Sequence, residues 1–235
     1  PVRTDTTCLG GFADTLPDRL SETGCFEQRS GVLTPSPGLI PYTVAAPLFS
    51  DFADKQRFIM LPTGTVLTQS DDQITLPEGA ALFKHFAREG VSIETRVIVR
   101  TATGHRYVTY IWDGEDAELN TSGTTLSLEL DSGDTVWAVP SGDECTFCHA
   151  TDLPLLGLAP EQLATPLCVD DATVPQLEVF EAWGVGALAT SAPLVDPGGD
   201  APLDARARSY LHTNCAHCHR PAGWAVDIDL DLRFA

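Results

Sequence analysis

The chain is 235 residues long, 43% apolar, and carries a formal charge of −19 from 33 acidic against 14 basic side chains. That length supports a proper core in one large or two small units. So strong an acidic balance, with Lys55 and Lys84 the only lysines, excludes nucleic acid as an ordinary partner, and the lack of any run of about 18 apolar residues excludes a membrane-spanning helix within this sequence.

The first residue is Pro1 and no basic stretch followed by an apolar run opens the chain, so an export signal is expected to have been removed, which places the protein in the periplasm or outside the cell. Residues 1–55 are rich in Pro, Thr, Ser and Gly, with turn signals at Pro35-Ser-Pro-Gly38, and read as an irregular arm. Cys8 and Cys25 flank a short segment and are expected to close a local disulfide in an oxidising compartment. Cys168 is the odd thiol, read as a small buried apolar side chain or as a bond to a partner or to a segment outside this sequence.

From Arg57 to Val139 the pattern turns to short β-type runs: Arg57 to Leu61, Thr65 to Gln69, Ala80 to Phe86, Val91 to Thr101, Arg106 to Trp112, Thr124 to Leu130 and Thr135 to Val139. High β-branched content broken by Gly and Asp turns predicts strands in a sandwich or barrel. Residues 1–140 are thus expected to form a β-rich, sandwich-like domain with its arm.

After Pro140 the pieces are helical: Pro160 to Leu163, Val174 to Trp183, and Leu203 to Thr213. In the last, Leu203, Ala207, Tyr210 and Leu211 predict one apolar face running to Cys215. The turn Asp196-Pro-Gly-Gly-Asp200 links the segments. Residues 141–235 are expected to form a small α-helical region, which makes the chain α+β overall.

Two strings frame that region, Cys145-Thr-Phe-Cys-His149 and Cys215-Ala-His-Cys-His219. Each is the C-x-x-C-H pattern of c-type haem attachment. Two thiols at this spacing reach the two vinyl groups of one porphyrin, and His149 or His219 then stands beneath the iron as proximal ligand. Four thiolates in a zinc ribbon are the main rival. Sixty-six residues separate Cys148 from Cys215, far beyond the roughly 15 to 20 of such a ribbon, so two covalently bound haem c groups are the expected cofactors.

Several blocks resemble a family of exported bacterial dihaem c-type cytochromes in which a β-rich front half precedes two haem-binding strings. They are Leu20-Ser-Glu-Thr-Gly-Cys-Phe26, Pro47-Leu-Phe-Ser-Asp51, Lys55 to Pro62, Glu94-Thr-Arg96, Trp137-Ala-Val-Pro-Ser141 and Ala205-Arg-Ala-Arg-Ser-Tyr-Leu-His-Thr-Asn-Cys215. The resemblance implies an exported electron carrier. Its members continue beyond the point where this sequence stops, sixteen residues after His219, so a downstream segment or another source is expected to supply a sixth ligand there.

Within the sequence the first choice for a distal ligand is His212, three residues ahead of Cys215. His85 and Met60, the only methionine, are weaker choices, and His105 and His217 read as a turn residue and a solvent-facing one. Trp137, Phe147 and Trp224 are expected to cover porphyrin and exclude water. Asp227, Asp229 and Asp231 alternate without the Gly-bearing loop of a calcium site and read as an exposed strand edge.

The expected function is one-electron transfer, with no catalytic residues, to a redox partner or to further copies of the chain in a haem array. A dihaem peroxidase with one open iron position is the alternative of another class. A third is a carbohydrate- or partner-binding module carrying haems, with Trp112 and Tyr107 lining its groove.

Overall fold

The computed structural model of the chain describes residues 8–9, 15–29, 32–149, 152–190, 192–221, 223–225 and 227–234. In chain order the first strands are β1 (Phe26–Arg29), β2 (Val32–Pro35), β3 (Ile40–Pro41), β4 (Asp54–Met60), β5 (Thr68–Ser70), β6 (Gln73–Thr75) and β7 (Ala81–Arg88). There follow β8 (Val91–Thr101), β9 (Gly104–Trp112), β10 (Ala117–Asn120), β11 (Thr124–Leu128) and β12 (Thr135–Val139). The remainder is α1 (Gly142–Cys148), α2 (Pro160–Leu163), β13 (Pro166–Val169), β14 (Ala172–Pro175), α3 (Gln176–Ala182) and α4 (Leu203–Cys215). The chain is mainly β. It forms two units, the first from Pro1–Pro41, Phe52–Val66 and Leu76–Cys145, the second from Tyr42–Asp51, Leu67–Thr75 and Thr146–Ala235.

The first unit is organised by an open antiparallel sheet of order β10-β9-β8-β7-β4-β3. Strand alternation gives it two distinct faces. Phe58, Met60, Phe83, Val97, Val108 and Tyr110 point to one face, into a core with Leu20, Cys25 and Phe26. Phe86 and Ile111 serve the other, where Trp137 and Val139 of the β11–β12 hairpin and Leu128 close a second core. A register shift between Phe86 and Ala87 marks a bulge against β8. The arm is less irregular than its composition predicts: β1 and β2 pair as a hairpin, and the expected disulfide joins Cys8 to Cys25. Tyr110 Oη donates to the Pro17 carbonyl at 3.0 Å, tying arm to sheet.

The second unit holds the hairpins β5–β6 and β13–β14 and the helices α2, α3 and α4. Three glutamine side-chain amides each bond both main-chain polar groups of one distant residue. Gln162 Oε1 accepts from Ala46 N–H and its Nε2 donates to Ala46 O, both at 2.9 Å. Gln176 does the same for Thr43, at 2.7 and 3.1 Å, and Gln69 for Ala189, at 2.9 and 2.8 Å. Gln162 and Gln176 are buried, where an amide must satisfy its donors and acceptor internally. Two expectations are corrected in this unit. Cys168 is exposed on β13, not buried. The apolar face of α4 is real as a stripe but turns outward, with Leu203 72% exposed and Tyr210 and Leu211 exposed with it, while the helix buries Ser209.

Candidate cofactor-attachment site

The first string begins on a well-defined helix start. Ser141 and Glu144 form a reciprocal cap: Ser141 N–H donates to Glu144 Oε2 at 2.8 Å and Glu144 N–H donates to Ser141 Oγ at 3.2 Å. This S-x-x-E arrangement fixes the first turn, and Cys145 N–H donates to the Ser141 carbonyl at 3.2 Å. Cys145 and Cys148 stand three apart on α1 and so share a helix face. The second string sits at the end of α4, where Cys218 N–H and His219 N–H both donate to the Cys215 carbonyl, at 3.1 and 2.9 Å. That turn brings Cys215 and Cys218 to one side as well. Gly223 is required just beyond it, because a Cβ there would collide with the Cys218 carbonyl oxygen.

The donor set fits a c-type haem. His149 Nδ1 lies 2.9 Å from the Pro154 carbonyl oxygen; a carbonyl can only accept, so Nδ1 carries the proton and the lone pair resides on Nε2. Such a backbone partner is what orients a metal-binding imidazole and raises its basicity. His219 Nδ1 is buried with no hydrogen-bond partner among the described residues. Phe147 and Trp224 meet edge to face, ring centres 5.6 Å apart, yet remain 56% and 65% exposed. Together with the outward stripe of α4, which reaches Cys215 through Leu211, they are apolar surface of the kind a porphyrin covers.

Two contacts unite the strings. Phe147 belongs to the first and Trp224 follows the second by five residues, and Arg220, next to His219, binds Asp152 with Nη1 at 2.7 Å and Nη2 at 3.0 Å. The Arg220 guanidinium holds the Asp152 carboxyl below its ordinary value, chiefly through that hydrogen bond. Neither Asp152, Arg220 nor Pro154 is distinguished in the sequence. Sixty-eight residues separate the ion pair, and a carbonyl acceptor has no side-chain signature.

The proposed distal ligands are occupied otherwise. His212 Nδ1 accepts from Phe234 N–H at 2.8 Å, and Nε2 faces Glu161 Oε1 at 3.5 Å. Its tautomer is the reverse of that of His149, and iron at Nε2 would displace both a proton and Glu161. His85 has Nδ1 3.0 Å from Thr95 Oγ1 and Nε2 3.4 Å from Ser92 Oγ, and burial pushes its pKa to about 4. It lines a cavity of about 150 Å³ with Trp112, Phe26 and Phe58, below the roughly 300 Å³ of ordinary ligand pockets. Met60 is core. His105 lies on β9 with Nε2 buried, and His217 is half-buried, its pKa lowered chiefly by that burial. Asp227, Asp229 and Asp231 lie outside any strand, Asp231 being paired with Arg233 at 2.6 Å. Among the described residues no cluster of three His, Cys, Asp or Glu side chains is placed to hold a metal ion, and none of the helices is long and apolar enough to cross a membrane.

Tyr107 and Trp112 are five residues apart on β9, so they face opposite sides of the sheet and cannot line one groove. No family model, curated protein or solved structure matches the chain.

Proposed function

We propose that the chain is an exported dihaem c-type cytochrome that passes single electrons between its two haems and a redox partner or further copies of itself, in the manner of the family its sequence resembles. The observation that carries this reading is the double C-x-x-C-H pattern together with the His149 Nδ1–Pro154 contact, which prepares Nε2 as a ligand. Cys145 and Cys148 would form thioethers to one porphyrin, Cys215 and Cys218 to the other, with His149 and His219 as proximal ligands and the segment after Pro140 serving as the haem-bearing region. A bound haem supplies a one-electron iron couple. The chain's own residues set position and potential: Pro154 fixes the His149 tautomer, Phe147 and Trp224 exclude water, and Asp152–Arg220 keeps the strings adjacent so that transfer between them is short.

Intact-mass measurement with reduced and oxidised optical spectra tests the reading. It expects two added macrocycles and low-spin spectra that cycle without turnover; unmodified mass, or zinc in place of iron, defeats it. One observation favours the peroxidase alternative. The lone pair of His212 is already committed to Phe234, which leaves the neighbouring iron, at His149, without the distal imidazole expected from the sequence. A high-spin component that reacts with peroxide would select that alternative.

A further inference from the structure

One face of the first unit's sheet changes character from one row to the next. Phe58 on β4, Phe83 on β7 and Val97 on β8 stand opposite one another and belong to the core. Two residues along each strand, and so on the same face, the register aligns Gln56, His85 and Thr95. Packing alone does not ask for three polar side chains here, since apolar ones would continue the core with no need of partners. Beside this row a cavity of about 150 Å³ is lined by Phe26, Phe58, Trp112, Gln56, His85 and Ser92. It is too small for a drug-sized ligand, but a protein cavity of about 150 Å³ holds one benzene molecule.

The hydrogens of this row follow from its partners. Trp112 Nε1 can only donate, and it does so to Thr95 Oγ1 at 3.0 Å. Thr95 is fully buried, and among the described residues its one hydroxyl hydrogen has a single acceptor, His85 Nδ1 at 3.0 Å. A buried hydroxyl keeps its partner, so Nδ1 accepts and the imidazole, held neutral by the burial that lowers its pKa to about 4, carries its proton on Nε2. Ser92 lines the cavity and Thr95 does not, and Ser92 Oγ lies 3.4 Å from Nε2, longer than a well-formed bond. The ring therefore offers the cavity an N–H that the protein itself uses weakly. Gln56, exposed at its edge, adds an amide.

We propose that this cavity binds a small neutral aromatic ring bearing one oxygen, of the phenol class, held by Phe26, Phe58 and Trp112 with its oxygen accepting from His85 Nε2–H. Aromatic walls favour a flat guest in offset or edge contact, and a phenol hydroxyl can donate in turn to Ser92 Oγ. The polar side chains suffice for one or two oxygens, so a sugar ring, with a hydroxyl on nearly every carbon, would bury several without partners. No Lys or Arg is among the described residues that line the cavity, whereas Glu115 is. An arylcarboxylate would thus lose its hydration and gain no counter-ion. The site uses no residue of the two C-x-x-C-H strings and does not rest on the function proposed above.

The test titrates the purified full chain at neutral pH with phenol, followed by NMR and calorimetry, with benzene, benzoate and methyl glucoside as comparison ligands. Phenol is expected to bind saturably and to shift the Trp112 indole N–H resonance, benzene to bind about tenfold more weakly, and benzoate and methyl glucoside not to bind. Nitrogen NMR of the His85 imidazole should place the proton on Nε2. His85→Leu, which loses the donor, should bring phenol down to the affinity of benzene, while Val136→Ala, at an exposed position of β12, leaves phenol binding unchanged. A folded chain that does not bind phenol, equal affinities for phenol and benzene, a proton on Nδ1, or binding of methyl glucoside or benzoate in place of phenol each overturns the proposal. These comparisons need no variant, so they decide the matter even if His85→Leu does not fold. A chain found without haem defeats the proposed function and leaves this titration to be read by itself.

Discussion

Arg220 places both terminal nitrogens on the carboxylate of Asp152, at 2.7 and 3.0 Å, and so ties the residue beside His219 to the loop that follows His149. The guanidinium is nearly enclosed, at 12% exposure, and the carboxylate is open. A planar, two-point pair of this kind carries orientation as well as energy.

Loss of this pair should loosen the two strings relative to each other. Asp152→Asn or Arg220→Gln is expected to cost about 1 kcal/mol in urea unfolding, and the exchanged pair Asp152→Arg with Arg220→Asp should recover part of it. The pH dependence has a definite sign. Arg220 depresses the folded-state pKa of Asp152, so the contribution is fully present above the ordinary carboxylate range and is lost as pH falls through the lowered folded value. Equal acid sensitivity in the wild type and Asp152→Asn would count against it.

His149 and His219 differ in their supporting contacts, and if the chain carries the two haems proposed, the haems should differ accordingly. Donation from His149 Nδ1 to Pro154 O makes that imidazole the stronger electron donor, whereas His219 Nδ1 has no such acceptor among the described residues. On the proposed function, a haem at His149 is therefore expected to have the lower midpoint potential. Cys148→Ala and Cys218→Ala, each crippling one attachment, assign the two waves in a redox titration; a higher potential for the haem left in Cys218→Ala refutes the ordering.

What the sequence discloses is what depends on local pattern. The runs Val91 to Thr101 and Thr135 to Val139 form strands with the predicted bounds, because β-branched alternation is itself the physical cause of a half-buried strand. The hairpin of β1 and β2 is not legible in the sequence because Glu27, Gln28 and Arg29 offer no β-branched signal, and Phe26 finds its burial against the distant Phe83. Likewise the stripe of α4 is legible, but its direction is not: which face a helix buries depends on partners such as Val195, whose N–H donates to Ser209 Oγ at 3.0 Å. The thiols and proximal imidazoles can be read from spacing alone. The use of His212 as a clasp, by contrast, depends on Phe234 and Glu161, at long range on either side of it.

His85 gives the first unit a pH response. Burial lowers its folded pKa from 6.5 to about 4, so the unfolded chain binds the proton more readily. Stability from this group is complete above pH 6.5 and falls between pH 6.5 and pH 4, by on the order of 3 kcal/mol across that window. Urea unfolding followed by the fluorescence of Trp112, whose ring lies 5.1 Å from that of His85, should show the decline. His85→Gln should flatten it, and an unchanged slope in the variant would exclude His85 as its source.

Gln162 is the most exacting polar position in the second unit. Its side-chain amide makes three hydrogen bonds, two with Ala46 and one to Thr213 Oγ1 at 2.8 Å, and Ala45 N–H donates to its main-chain carbonyl at 2.8 Å. Replacement by Ala deletes the amide but leaves the Ala46 N–H and C=O buried without partners, a cost of about 2 to 4 kcal/mol. Replacement by Glu keeps the shape and the acceptor but removes both donated bonds and buries a charge, so Gln162→Glu should be at least as damaging at neutral pH and milder in acid, where the protonated carboxyl can donate once. Hydrogen exchange at the Ala46 amide measures this directly. Protection that survives Gln162→Ala would show that the strap is held by other contacts.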